Sequence, residues 1–544
     1  MMDRKTLSRR EIRMEKPFLH IPVRPEEGAC LLRLFLGGYL LHTFRVALSG
    51  RPLAYYPLAL PECLGQAVYI EVAVDGGDGD SGLEEILCGG RPEDEPALYP
   101  ALYQEPHRPG FHYSCKRGWL NDPNGLFYAN GLWHLYYQHN PLGSTATDRN
   151  CSWGHAVSPD LFHWEERRPA IMPQGDQMMC ASGSCLPDTR NALGYGSDAV
   201  VAAFTALGVE RMTDWKKAPA QGQIFAVSTD GGDTFRRLPD QPAIPCEGGE
   251  PWRDPCLFAD ETGYGLAVYE THEEKNMVAF YRSDDLRHWR RTGFAPELFE
   301  CPDMFPLTCE ETGETRWVLY GGDGTIRVGH YDGETFRDEE SRNSLDFGRA
   351  VYAGQTWRNA PGGRRVHIAW ACGMGNHRIW DERGMGYEGL PFSQCMTTPC
   401  ELRLRRLNGR YFVSRTPVAE LDALHCGPAE RRQVRENGLM LLQSGGDYQV
   451  FFRGEAPFSF QVADLRFSFC PATTVLTFPN GNTLELGERE LRVRLLTDET
   501  TVELFFNELA CATYTMPVEE ALLRLEDMAA AEVLRYPLEN VHGV

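Results

Sequence analysis

The stretch Trp119-Leu120-Asn121-Asp122-Pro123-Asn124-Gly125 carries one carboxylate between two amides and ahead of a proline. Pro123 fixes its own φ and biases Asp122 toward extended backbone. Asn124-Gly125 is a turn signal. Asp122 is therefore expected at the end of a strand or just past it, held stiffly, with amides beside it able to orient neighbours and bind hydroxyls. A rigid carboxylate next to a tryptophan and amides suits contact with a sugar.

Two later stretches share this texture: Arg253-Asp254-Pro255 and Glu300-Cys301-Pro302-Asp303. The three acids lie far apart in the chain, so a fold that closes on itself is needed to bring them together. Cleavage of a glycosidic bond uses two carboxyl groups, one ionised and attacking, the other protonating the leaving oxygen. A third can hold hydroxyls and stabilise positive charge. Opposite roles require environments that push the carboxyl pKa values apart.

Outward from these motifs the chain reads as all-β. Between Phe111 and about Leu402 short strands alternate with polar turns, and a weak repeat is present. Ser158-Pro159-Asp160-Leu161-Phe162-His163-Trp164 is echoed by Ser283-Asp284-Asp285-Leu286-Arg287-His288-Trp289, and more loosely around Asp230-Gly231 and Asp332-Gly333. Repetition of strand, polar turn and aromatic at such intervals predicts a β-propeller. Before it, residues 1–108 form a β-rich module with strands Phe18–Val23, Cys30–Phe35 and Ala67–Val74, a loop at Gly76–Asp80 and a proline-rich linker from Pro92 to Pro109. After it, alternating strands from Gln449 to Phe506 predict a β-sandwich over residues 406–544. Val518–Arg535 reads either as part helix or as a loop and strand. The expected division is thus 1–108, 109–405 and 406–544.

Composition bounds the partners. A length of 544 residues exceeds one ordinary core. A net charge of -22 disfavours nucleic acid and anionic membrane as partners. Arg4, Lys5, Arg9, Arg10 and Arg13 precede no signal-like apolar run, and no run approaches the ~18 apolar residues of a membrane span. The 17 cysteines are scattered without a disulfide or zinc spacing. A cytoplasmic location is expected. His134, His139, His155 and His163 alternate with apolar residues on short strands and lack a carboxylate-backed ligand pattern, so structural roles are expected for them and no metal site is expected.

The motifs stand in one order: WLNDPNG at Trp119–Gly125, YQHNP at Tyr137–Pro141, WGHAVSPDLFHW at Trp153–Trp164, SGS at Ser182–Ser184, WRDP at Trp252–Pro255 and ECPDMF at Glu300–Phe305. Tyr352–Trp357, Pro391–Leu402 and Val502–Asn507 agree. Together they resemble glycoside hydrolase family 32, the β-fructofuranosidases, which include invertases, levanases, inulinases and sucrose-6-phosphate hydrolases. The resemblance implies a five-bladed propeller followed by a β-sandwich, and a retaining hydrolase that releases terminal fructose from fructo-oligosaccharides, levan- or inulin-type fructans or sucrose. It implies Asp122 as nucleophile, Glu300 as acid/base and Asp254 as transition-state stabiliser. Arg253 is placed to contact both the sugar and Glu300. Asn121, Gln138 and Ser182 match contacts to sugar hydroxyls, and Trp119 and Trp153 match pocket walls. No metal or organic cofactor is needed.

The sequence departs from the family in places. Leu120 stands where many members carry Met, a volume-conserving change. Trp370-Ala371-Cys372-Gly373-Met374 replaces a common Trp-Met-Asn-Asn-Trp on the leaving-group side. The Pro391–Leu402 stretch leans toward fructan-cleaving members. A fructosyltransferase, a sucrose-6-phosphate hydrolase and a non-catalytic fructan-binding protein remain alternatives on this scaffold.

Overall fold

The computed structural model describes residues 6–74, 79–145, 150–174, 179–207, 222–239, 244, 251–272, 274–372, 387, 389–435, 437–518, 521–526 and 530–542. The repeat seen in the sequence has a physical content. Asp160 Oδ1 accepts the backbone N–H groups of Phe162 and His163, and Asp285 Oδ1 those of Arg287 and His288. Asp230 accepts from Thr234, and Asp332 from Glu334 and Thr335. Each is a side chain standing in for a turn's backbone acceptor. Each sits between the third and fourth strands of a four-strand antiparallel meander. The aromatics just after these turns, Trp164, Phe235, Trp289 and Phe336, pack into the adjoining apolar clusters.

Among the described residues, five such sheets succeed one another. Their strands run from Gly118 to Ile171, Met179 to Arg237, Trp252 to Pro296, Asp303 to Ser344 and Val351 to Pro417. The first strands of successive sheets abut in turn, and that of the fifth, Val351–Thr356, lies against that of the first, Gly118–Ala129. Phe392–Ser393 adds in parallel to Gly118–Trp119, so a late segment closes onto the earliest strand. Cys400–Leu407 and Arg410–Pro417 form one antiparallel ladder. The expected division at 405/406 therefore falls inside a hairpin, and the change of sheet comes between Pro417 and Glu430.

Ahead of these sheets, a four-strand and a three-strand sheet share a core of Leu32, Leu34, Val68, Ile70, Leu19, Ile21 and Tyr56. The expected strands Phe18–Val23 and Ala67–Val74 are present, and the third extends to Leu36. Alternation explains the facing: Leu32 and Leu34 point inward between half-buried neighbours. Of the expected loop Gly76–Asp80, residues 76–78 lie outside the described part, and Gly79–Glu84 is a short helix rather than a loop. At the other end two six-strand sheets enclose a single core that includes Phe460, Phe467, Phe506 and Leu504. The helical alternative for Val518–Arg535 gives way to strands Leu522–Glu526 and Ala530–Pro537, with Met528 and Ala529 outside the described residues. Ala530–Pro537 pairs on both sides, with Glu430–Arg435 and Gly446–Arg453, and that pairing overrides the helix propensity of alanine. Among the described residues no helix is long and apolar enough to cross a membrane.

A buried polar network joins the C-terminal sheets to the rest. Asp498 accepts the N–H groups of Gly110, Phe111 and His112, and the His112 ring lies 2.9 Å from Asp498 and 3.0 Å from Glu503. Arg415, fully buried, donates to Asp346 at 2.9 Å, and Asp346 also accepts from Thr513. Burial alone would lower the His112 pKa. Asp498 and Glu503 outweigh it and raise the value to about 9. A raised folded-state pKa adds stability that is full below the ordinary histidine value and lost as pH rises through about 9. His112→Gln is expected to cost about 3–5 kcal/mol, the scale of orphaning a buried charge. In thermal melts the deficit against wild type should be larger at pH 6 than at pH 9.5.

Candidate active site

Four of the five sheets carry the same irregularity in their first strand. The ladder skips between Leu120 and Pro123, between Cys180 and Gly183, between Arg253 and Cys256, and between Tyr352 and Gln355. In each, two residues oppose one, which is a β-bulge, and a bulge turns a side chain out of the strand's alternation. The bulged pairs are Asn121–Asp122, Ala181–Ser182, Asp254–Pro255 and Ala353–Gly354. The fourth sheet instead presents Glu300 and Cys301 just before its first strand, Asp303–Thr308. Asp122 is therefore inside the strand Gly118–Ala129 rather than at its end, and Asn124-Gly125 continues that strand instead of turning it. Gly125 has φ +58, and a Cβ there would lie 2.7 Å from Cys185 Sγ and 2.9 Å from the Trp153 ring. Pro123 directly follows its bulge, Pro255 lies within one and Pro302 precedes the strand Asp303–Thr308, positions where a sheet tolerates proline. Asp254, Glu300, Cys301 and Ala353 all have positive φ (62°, 48°, 38° and 53°), unfavourable backbone of the kind that collects at functional sites.

These devices bring the three acids together at Cys301. Its backbone N–H donates to Asp254 Oδ2 at 3.2 Å, and its thiol lies 3.6 Å from Asp122 Oδ2. Glu300 is its chain neighbour. Ser182 Oγ donates to Asp122 Oδ2 at 2.6 Å, and Asn121 Nδ2 donates to Oδ1 at 3.0 Å. Trp119 Nε1 donates to Asn121 Oδ1 at 2.8 Å and so fixes which way that amide faces. Arg253 Nη2 donates to Glu300 Oε1, its Nε lies 3.7 Å from Asp254 Oδ2, and its guanidinium sits 5.0 Å over the Tyr269 ring. Tyr352 OH donates to the other Glu300 oxygen.

Burial governs the electrostatics. Desolvation raises the Asp122 pKa, hydrogen bonds from Ser182 and Asn121 oppose it, and the Glu300 charge adds to it. Asp254 is raised to about 7: desolvation is the main cause, Arg253 works against it, and Glu300 and Asp122 reinforce it. Burial works against the Arg253 charge, but Asp254 and Glu300 outweigh burial and hold the guanidinium ionised. Three acids around one cation leave more negative charge than can ionise freely, so Asp122 and Asp254 keep protons to higher pH than isolated carboxyls do.

The other sequence-derived residues fall in different places. Gln138 opposes the Asn121–Asp122 bulge, donates to Cys180 O at 3.2 Å and accepts from the Cys151 thiol. Trp153 is a correction. It is fully buried between the first and second sheets against Tyr136 and Phe204, and its Nε1 donates to Ala181 O, so it packs as core. The ring lies so close to Gly125 that a Cβ there would come within 2.9 Å of it. Trp119 is 2% exposed and packs edge-on against Trp370, so it orients Asn121 more than it lines an opening. Leu120 is core. Gly373 and Met374 lie outside the described residues. The four histidines are used structurally: His134 and His155 stack and meet at 3.2 Å, His139 Nδ1 donates to Trp119 O, and His163 closes the Asp160 turn. Among the described residues one group, Asp422, His425 and Asp447, has metal-like spacing, but Arg494 donates to both carboxylates and supplies their counter-charge.

Residues not singled out from sequence complete the site. Asn124 Oδ1 accepts from Gly183 N at 3.1 Å and ties the first strand to the second sheet. Thr205 Oγ1 accepts from Asp254 N at 2.9 Å and donates to Gln223. Asp303, fully enclosed, accepts from Thr356 N, Thr356 Oγ1 and Arg358 Nη2, which pins the fourth sheet to the fifth beneath Glu300. Cys301, Asp303 and Tyr352 all lie within the quoted motifs, so their positions were marked even though their contacts were not.

Residues 112–415, more than half of the chain, match the N-terminal domain of glycosyl hydrolases family 32, and the chain belongs to that family. It is 30% identical over 359 residues to an extracellular exo-inulinase of Aspergillus ficuum, covering 58% of this chain and 65% of that protein. Against a levanase of Bacillus subtilis it is 28% identical over 380 residues, covering 64% and 53%. The chain thus spans less than two thirds of the length of these relatives. Its fold matches the crystal structure of an exo-inulinase from Aspergillus awamori with a TM-score of 0.67 at 22% identity, covering 81% of this chain and 99% of that one.

Two outcomes test the geometry without assuming a reaction. Removing the Ser182 hydroxyl takes away a hydrogen bond to the ionised form, so Ser182→Ala should move the Asp122 titration to higher pH, read by carboxyl-carbon NMR. Asp254 has a folded pKa above its unfolded one, so ionising it costs stability as pH rises from about 4 to about 7. Asp254→Asn should therefore raise the melting temperature at pH 8, with the gain vanishing near pH 4.

Proposed function

We propose that the chain is a retaining β-fructosidase that releases terminal fructose from β-fructofuranosides. The convergence of Asp122, Asp254 and Glu300 around Cys301 carries this reading. Asp122 attacks the anomeric C2 of a terminal fructosyl unit while Glu300 delivers a proton to the leaving oxygen. A covalent fructosyl–Asp122 ester forms and the C2–O bond to the leaving sugar breaks. Water, deprotonated by Glu300, then attacks C2 and frees fructose and Asp122. Asp254 holds fructose hydroxyls whose bonds strengthen as positive charge develops on the ring. Arg253 and Tyr352 grip both Glu300 oxygens, so the acid/base is aimed before substrate arrives.

The proposed architecture is a five-bladed propeller, each blade one of the consecutive sheets, followed by a β-sandwich and preceded by a β-module within residues 1–108; the abutting first strands of those sheets support it. The acids lie on the first strands or just before them, where five sheets meet. The relatives named exo-inulinase and levanase favour fructo-oligosaccharides and fructans, with sucrose, as substrates. No cofactor is required by the proposed steps. A cytoplasmic location fits the chain's thiols: every described cysteine is free.

Fructose release is measured over sucrose, its 6-phosphate, levan, inulin and short fructo-oligosaccharides. Wild type should act on at least one of them, and Asp122→Asn and Glu300→Gln should each lose activity on the order of 10³-fold or more, as when a covalent nucleophile or its proton donor is removed. With methanol as acceptor the product should be the β-fructoside. The α-anomer, or no release from any substrate by wild type, sinks the proposal.

A further inference from the structure

The strand Tyr39–Val46 forms the edge of the N-terminal four-strand sheet, and its outer side does not face solvent throughout. Arg45 N donates to Asn150 Oδ1 at 2.9 Å, and Asn150 Nδ2 donates back to Arg45 O at 2.6 Å. One side-chain amide thus satisfies both backbone groups of an edge residue, as a neighbouring strand would. The same Nδ2 donates to Asn140 Oδ1 at 3.1 Å. Asn150 is 4% exposed, so all of this lies away from water.

Cys151, the next residue in the chain, carries the contact on toward the acids. Its thiol donates to Gln138 Oε1, and its carbonyl accepts from Cys180 N at 3.0 Å, two residues before Ser182. Gln138 opposes the Asn121–Asp122 bulge. The charges of Asp122 and Asp254 both raise the Cys151 pKa, after burial and Cys180. The N-terminal unit grips the same sheet twice more. Leu142 is fully buried inside the N-terminal core, and His42 Nδ1 donates to Pro173 O at 2.9 Å, with Met172 packed against that core.

We infer that the N-terminal unit is a positioning device for the fructosyl pocket, in which the Arg45 backbone, through Asn150 and Cys151, sets the orientation of Gln138 beside Asp122. The unit supplies no reacting group. It fixes the wall against which a fructosyl unit is held, and so acts on substrate affinity. This rests on the β-fructosidase reading of the site.

The test uses the full chain and three variants. Asn150→Ala removes the side-chain link. Arg45→Pro removes the N–H that donates to Asn150 and also fixes φ at an edge-strand residue whose side chain is exposed, so its effect is compared with that of Asn150→Ala. Arg45→Ala keeps both backbone groups. Asn150→Ala and Arg45→Pro are expected to raise KM for the best substrate about tenfold, the upper range for one buried hydrogen bond, with kcat within about twofold. Arg45→Ala should match wild type. Amide hydrogen exchange in the 134–140 segment should quicken in the first two variants and not in the third. Lower melting temperatures with KM and exchange unchanged would reduce the contact to a structural one and overturn the inference. If wild type releases no fructose, the function proposal fails, and exchange at 134–140 alone decides whether the N-terminal unit holds Gln138.

Discussion

The site depends on holding three carboxyl groups and one guanidinium in a space with little water. Like charges that close resist joint ionisation, and desolvation makes the resistance stronger. Arg253 answers part of it, being pulled between Asp254 and Glu300. The Cys301 amide answers another part on Asp254. The remainder is met by rigidity: five sheets whose first strands abut cannot spread to let the charges relax. The buried Asp303–Thr356–Arg358 link and the Asn124–Gly183 bond resist the same spreading from beneath. Much of the molecule is the framework that makes this charge arrangement tolerable.

The bulges show how the framework delivers side chains. A regular first strand would alternate its residues between the two sheet faces and give none a direct line to the meeting point. Two residues against one breaks the alternation in the first strand of four of the five sheets. Asp122, Ser182 and Asp254 are all delivered in this way, and Asn121 with its orienting Trp119 comes with them. Positive φ at Asp254, Glu300 and Cys301 gathers backbone strain where the three acids meet.

Much of this was legible in the sequence, and the reasons are local. The turn repeat was readable because one aspartate caps each turn through its own side chain, so the signal needs only a few residues. The three acids were readable because each sits with a proline in a short motif. Three N-terminal strands, Phe18–Val23, Cys30–Leu36 and Ala67–Val74, were readable from short alternating or apolar runs to within one residue, whereas Thr6–Arg13, Tyr39–Val46 and Ala54–Ala59 were not singled out. What was missed is long-range. Trp153 reads like a pocket wall beside WGHAV, but its neighbours Tyr136 and Phe204 come from other strands and turn it into core. Asn124-Gly125 reads as a turn until the register shows a strand running through it. The 405/406 division failed because a hairpin at Asn408-Gly409 looks locally like a boundary. The contacts of Tyr352 and Cys301 depend on residues tens to hundreds of positions away, which no local pattern encodes.

The parallel pairing of Phe392–Ser393 with Gly118–Trp119 has a consequence for how the molecule comes into being. Four of the sheets are sequential hairpins with side-chain-capped turns, so each can form as it emerges during synthesis, with small loops to close. The strand bearing Asp122 appears among the earliest of these, yet its outer ladder stays open until the chain has been made past Ser393. Its other flank, against Val351–Thr356, waits almost as long. The strand that carries Asp122 is thus begun early and finished late. A chain truncated or stalled before that point retains most of its hairpins and presents an unpaired edge at its most important strand, so competence and completeness of the polypeptide coincide.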